Sequence, residues 1–166
     1  MTTKLPSKIE SRNRSIEYRT CVGIMLFNQQ GRIFVGRRFN SWQMPQGGIE
    51  NGEDPKQAAL RELSEEIGTD KVEIIAESQE WLYYDLPKEL VSSCWNGKYA
   101  GQKQKWLLMK FLGSDQDINV YTDYPEFEEW LWQDIDNLVN NVVSFKKEVY
   151  RVIVREFLPI IKLAIK

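Results

Sequence analysis

Three glutamates, Glu62, Glu65 and Glu66, stand three and four residues apart in a segment that reads as a helix. That spacing makes their side chains neighbours on one helical surface. Three carboxylates so close repel one another, and a divalent cation relieves that repulsion; metal binding is the chemistry the pattern points to. An acidic triplet on its own is more often a solvated face, so the surroundings have to decide. Arg61 is spaced to pair with Glu65 and restrain it. Gly47 and Gly48, just upstream, let the backbone come close to whatever is bound there.

The element that must position these acids is legible from its ends. Asp54 is a good N-cap, Pro55 suits the first helical position, Gln57 completes a capping box, and Gly68 ends the helix. A helix over 55–67 follows. On a wheel of 100° per residue, Ala59, Leu60, Leu63 and Ile67 form the apolar stripe, with the three glutamates along its edge.

The whole stretch 47–69 resembles the Nudix box, G-x5-E-x7-R-E-U-x-E-E-x-G-U with U aliphatic, filled by Gly47, Glu53, Arg61, Glu62, Leu63, Glu65, Glu66 and Gly68. Thr69 departs from the last aliphatic place, which touches helix-end packing and no ligand. The resemblance implies an α/β fold, a Nudix-type alpha/beta/alpha sandwich with a mixed sheet. It also implies a divalent metal, magnesium with manganese as the alternative, held by Glu62, Glu65 and Glu66. Glu53 is expected to orient Arg61.

Further segments look like the bacterial RNA pyrophosphohydrolases and the related dinucleoside oligophosphate hydrolases. They are YR at 18–19, RRF at 37–39, SWQMPQGG at 41–48, WLYYDLP at 81–87, GQKQKW at 101–106, PEF at 125–127 and VSFKKEVY at 143–150. Thr20 stands where a proline often follows the YR pair. By this resemblance Glu126 is a further metal ligand or general base. Arg38, Ser41, Val143, Phe145 and Lys146 match places that grip a base near an RNA 5′ end. Arg19, Lys103 and Lys105 are candidates to meet phosphates, and Tyr84 to donate a hydrogen bond to one. Alternation along QKQK sets the two lysines on one strand face and Gln102 and Gln104 on the other. The implied reaction is metal-dependent hydrolysis of a pyrophosphate linkage, on a 5′-triphosphate or diphosphate RNA end or on a dinucleoside oligophosphate such as diadenosine tetraphosphate. A Nudix-fold binding module without catalysis would break the glutamates, and an acidic structural protein would have no use for the glycine loop or Arg61.

Bulk properties narrow the rest. A chain of 166 residues with 42% hydrophobic and 28% charged content reads as one globular domain, 18–166, behind a flexible polar arm, 1–17, which reads first as a solvated tail, though its Lys4, Lys8, Arg12 and Arg14 could help hold a polyanion. No apolar run is long enough for a membrane span, and the start lacks the apolar core of a secretory signal. Two cysteines, Cys21 and Cys94, make no disulfide framework and fit a cytoplasmic setting. With no histidine, Ser-His and Cys-His catalysis is excluded and carboxylates remain as acid/base groups. A net charge of −2 suits a local contact with a nucleic-acid end, not the coating of a long one. Strands are expected at 19–27, 32–39, 42–44, 72–84, 104–112 and 128–133, with a long connection over 87–101. A short helix should follow Asp134, and Ser144 should cap a last helix that Pro159 kinks or breaks. The six tryptophans, mostly in strand-like segments, are read as core.

Overall fold

The computed structural model describes residues 17–94, 97–123 and 125–166. The expected N-terminal arm, apart from Glu17, lies outside them. Strand β1 (Glu17–Phe27) runs parallel to β7 (Tyr99–Phe111), the longest strand pairing of the fold. Around this pair lie β2 (Ile33–Arg38), β3 (Ser41–Gln43), β4 (Gln46–Gly48), β5 (Val72–Glu77), β6 (Leu82–Asp85) and β8 (Glu129–Gln133), all joined antiparallel. The sheet is therefore mixed, with β3-β2-β1-β7-β5 as its main path.

Both faces of this sheet are buried, because β1 and β7 are apolar at odd and even positions alike. Val22, Ile24, Leu26, Leu107 and Met109 pack beneath helix α1 (Pro55–Ile67). Met25, Phe27, Trp106 and Leu108 pack beneath the C-terminal helix, where Tyr150, Ile153, Phe157 and Ile161 meet them. Two short helices, α2 (Lys88–Val91) and α3 (Leu138–Asn141), precede that long one, α4 (Lys147–Ala164). The layers are helix, sheet, helix, as expected.

Several boundaries differ from the sequence reading. The strand expected over 72–84 is two, because Ser78 turns inward: its N–H donates to the Trp106 carbonyl at 2.7 Å and its Oγ accepts from the Trp106 N–H at 3.0 Å. Strand β7 begins at Tyr99, and the long connection before it contains α2. Ser144 does not cap α4; it opens a 3-10 turn, and the helix starts at Lys147 without a side-chain cap. Pro159 does not end α4 either. Its ring is on the exposed side, while Phe157 and Ile161 hold the helix to the sheet on both sides of it. Of the tryptophans, Trp106 alone among the described ones is fully buried. Trp130 and Trp132 cover Phe34 at the outer edge, stacked and edge-on respectively, and Trp42 and Trp81 are half-buried.

Candidate active site

Helix α1 has the ends its sequence specifies. Asp54 Oδ1 accepts from the Gln57 N–H at 2.8 Å, Gln57 Oε1 accepts from the Asp54 N–H at 3.0 Å, and Gly68 adopts φ 74° at the C-terminus. The buried face differs from the expected stripe: Ala58, Ala59, Leu63, Glu66 and Ile67 face the sheet, whereas Leu60 is 40% exposed. Glu66 follows Ala59 by seven residues, close to two turns, and so lies in the middle of that face, not along its edge.

The three glutamates are therefore unequal. Glu66 is 4% exposed overall, and the side chains of Glu62 and Glu65 are 16% and 60% exposed. Burial, first, and then the hydrogen bond and charge of Glu62 raise the pKa of Glu66 well above the carboxylate range; a hydrogen bond with the Gln46 backbone opposes them. Glu62 lies in the space over Gly47, where a Cβ would collide with its carboxyl group. Gly48 makes similar room for the Arg19 guanidinium.

Arg61 clasps the site from outside. Its Nε and Nη2 donate to Glu53 at 2.7 and 2.9 Å, Nη2 also to the Gly48 carbonyl at 2.8 Å, and Nη1 to Glu62 at 3.0 Å and Glu65 at 3.4 Å. One guanidinium thus ties the glycine loop to the helix. Glu53, held by Arg61 and by the Glu50 N–H, has its pKa lowered to about 2. Its position fits the expected orienting role.

Glu126 lines the same cleft, where Arg38 Nη1 donates to it at 2.6 Å. Among the described residues no three acids converge as a ready metal cage. Arg61 holds Glu62 and Glu65 and Arg38 holds Glu126, while Glu62 also hydrogen-bonds the buried Glu66. The donor set still fits a hard dication, which takes carboxylate oxygens and keeps waters in its shell. In the metal-free protein burial and Glu62 favour a proton on Glu66, the place a cation would take.

A cleft of about 1100 Å³ opens from these acids. Arg19, Arg38, Ser41, Gly47, Gly48, Tyr84, Val143, Phe145 and Lys146 all line it, so the sequence-selected residues are brought together across β1, β2, β6 and the turn before α4. Ser41 Oγ accepts from the Val143 N–H at 3.1 Å, joining two of the candidate base contacts. Phe145 lies 5.6 Å from Tyr84, ring to ring. Lys146 Nζ donates to Gln43 Oε1 at 3.0 Å, and burial, chiefly, lowers its pKa to about 8.

Lys103 and Lys105 are not brought to the cleft. Their ammonium groups lie 5.0 and 5.6 Å from the Trp81 ring centre, on the other sheet face. The alternation was read correctly, but the face that lines the cleft is that of Gln102. Gln104 Nε2 donates to Gln102 at 2.8 Å and to Gln46 at 3.2 Å, and the Trp106 indole N–H donates to Gln104 Oε1 at 3.0 Å. This glutamine chain was missed. Its signal was that Gln102 and Gln104 share parity with the buried Trp106. Phe39, Gln43 and Cys94 also line the cleft without having been singled out.

The NUDIX domain model matches residues 17–153. An RNA pyrophosphohydrolase of Wolbachia pipientis subsp. Culex pipiens is 61% identical over 150 residues, covering 88% of this chain and 93% of its own. The RNA pyrophosphohydrolase of Roseobacter denitrificans is 52% identical over 148 residues, covering 86% and 92%. Among solved structures, the E. coli dihydroneopterin triphosphate pyrophosphohydrolase superposes with a TM-score of 0.67 at 20% identity, covering 84% of this chain and 99% of that one. A C. elegans Ap4A hydrolase gives 0.61 at 20% identity, covering 85% and 98%. At such identity these structures speak for the fold alone.

Proposed function

The chain belongs to the NUDIX domain family, and on that premise we infer that it is an RNA pyrophosphohydrolase, an enzyme that uses water to cut a phosphoric anhydride at an RNA 5′ end and leaves a 5′-monophosphate. The observation that carries the substrate is the near full-length identity to RNA pyrophosphohydrolases, joined by a single cleft lined by both the carboxylates and the candidate base contacts. The cytosol belongs to the same proposal. No helix among the described residues is long and apolar enough to cross a membrane.

NUDIX hydrolases work with divalent metals, and we propose magnesium, with manganese able to replace it. Glu62, Glu65, Glu66 and Glu126 would hold it, Glu62 and Glu65 turning from Arg61 and Glu126 from Arg38. A dication there would supply neutralisation of phosphate charge and Lewis acidity toward the attacking water. The protein's own part is positioning. Gly47 leaves room for Glu62, Arg61 locks loop to helix, and Glu126, released from Arg38, would serve as metal ligand or as general base toward the attacking water. Arg38, Ser41, Val143, Phe145 and Lys146 hold the base, and Arg19 and Tyr84 face the phosphates.

The test compares kcat/KM on 5′-triphosphorylated RNA, diadenosine tetraphosphate and nucleoside triphosphates with magnesium or manganese. RNA should be preferred, and Glu66→Gln should lower kcat on every substrate by about a hundredfold or more, the scale on which lost transition-state electrostatics is felt. Exclusive hydrolysis of the dinucleotide would overturn the substrate, and full activity of Glu66→Gln the mechanism.

A further inference from the structure

The turn between β2 and β3 breaks a local rule. Arg38 pairs with Ser41, so only Phe39 and Asn40 make the connection. Phe39 has φ 58°, the left-handed region that such short turns reserve for glycine or asparagine. Its ring gains no burial in exchange, since the residue is 74% exposed. The conformation is held from below: Arg37 donates to the Phe39 carbonyl and is itself fixed by Glu128 and Glu129, each at 2.6 Å. Strained residues persist where the surroundings enforce them, and they gather at ligand sites.

Phe39 lines the rim of the same cleft as Glu62, Glu66 and Glu126. The Arg38 guanidinium carbon lies 5.7 Å from its ring centre. An exposed aromatic face beside a guanidinium is the surface on which unpaired bases stack. The cleft is larger than one small ligand fills, so chain beyond the reacting end has room within it.

We propose that Phe39 is a specificity residue, a stacking platform at the cleft mouth for an unpaired nucleobase neighbouring the one held deeper by Phe145. This rests on the RNA reading above. Single-stranded 5′ ends can lay a base on the ring; a substrate with no base at that position cannot, and gains nothing from Phe39.

Phe39→Gly tests it, because glycine removes the ring and relieves the backbone together. The variant should melt no lower than wild type. Its KM for triphosphorylated single-stranded RNA should rise roughly five- to 150-fold, the range for stacking one base on an aromatic ring, with kcat within about twofold. Phe39→Tyr should restore KM. An abasic substitution at one of the first three nucleotides should erase the difference between wild type and Phe39→Gly. Unchanged KM in Phe39→Gly, an equal loss on abasic RNA at every position, or a lower melting temperature with losses on every substrate would overturn the platform. Wild-type protein idle on RNA but active on diadenosine tetraphosphate would instead overturn the RNA reading and the platform with it.

Discussion

Lys146 is buried in the cleft with its ammonium on two neutral glutamine oxygens, Gln43 at 3.0 Å and Gln46 at 3.4 Å, and among the described residues no carboxylate is its hydrogen-bond partner. The group titrates near 8 in the fold and near 10.5 when free. Between those values the unfolded chain binds more protons than the folded one, so stability rises with pH through that window, and below about 8 the folded state carries the whole cost of the buried charge. Lys146→Met should therefore raise the melting temperature at pH 7, by about 2–4 °C for each kcal/mol recovered. Catalysis should respond in the opposite sense. The charged lysine favours an anionic RNA end, so kcat/KM should fall above pH of about 8, and Lys146→Met should start lower and lose that alkaline limb. A variant profile that still falls in the same place would assign the limb to another group.

Gly47 shows at the level of elements how loop and helix make one device. The loop pairs with β1 through Val22, and Glu62 of α1 occupies the space a side chain at Gly47 would need. Gly47→Ala has no unusual backbone angle to satisfy, so the fold should persist while Glu62 is displaced. A misplacement of about 1 Å at a reacting group can cost on the order of a hundredfold. The expected result is a kcat lowered by one to two orders of magnitude, a circular dichroism spectrum like wild type, and weaker magnesium dependence; wild-type kcat would deny the packing its role. Elements of this kind were legible because their signals are local. Capping residues act within four positions, and the box fixes Arg61 against Glu53 at a separation of eight. Where tertiary packing decides, local pattern misled. Leu60 lies on the outer flank of the apolar stripe and is 40% exposed, while Glu66 lies at its centre, which hydrophobic reasoning does not allow for a carboxylate. The choice between the lysine and glutamine faces of β7 likewise depended on which helix covers which side of the sheet.

Across the whole molecule, the acids that a metal would share are distributed between two arginines. Arg61 restrains Glu62 and the outer Glu65 from the helix side, and Arg38 restrains Glu126 from the β2–β3 side. Glu65 and Glu126 are substantially exposed, and ion pairs of that kind are worth about 0–1 kcal/mol each. Opening them costs little against what a dication gains between Glu62 and the buried Glu66. Magnesium alone should therefore stabilise the protein. At roughly 100 times its Kd the linkage is worth about 2.7 kcal/mol, or roughly 5–10 °C in melting temperature for a chain of this size. Glu66→Gln removes a buried carboxyl that burial and Glu62 already push toward its neutral form, so without metal it should melt at or above wild type. With metal it should gain little, and the two melting curves should cross as magnesium is added. Parallel curves would mean the cation is held elsewhere, and no shift in either protein would remove the dication from this face of the helix.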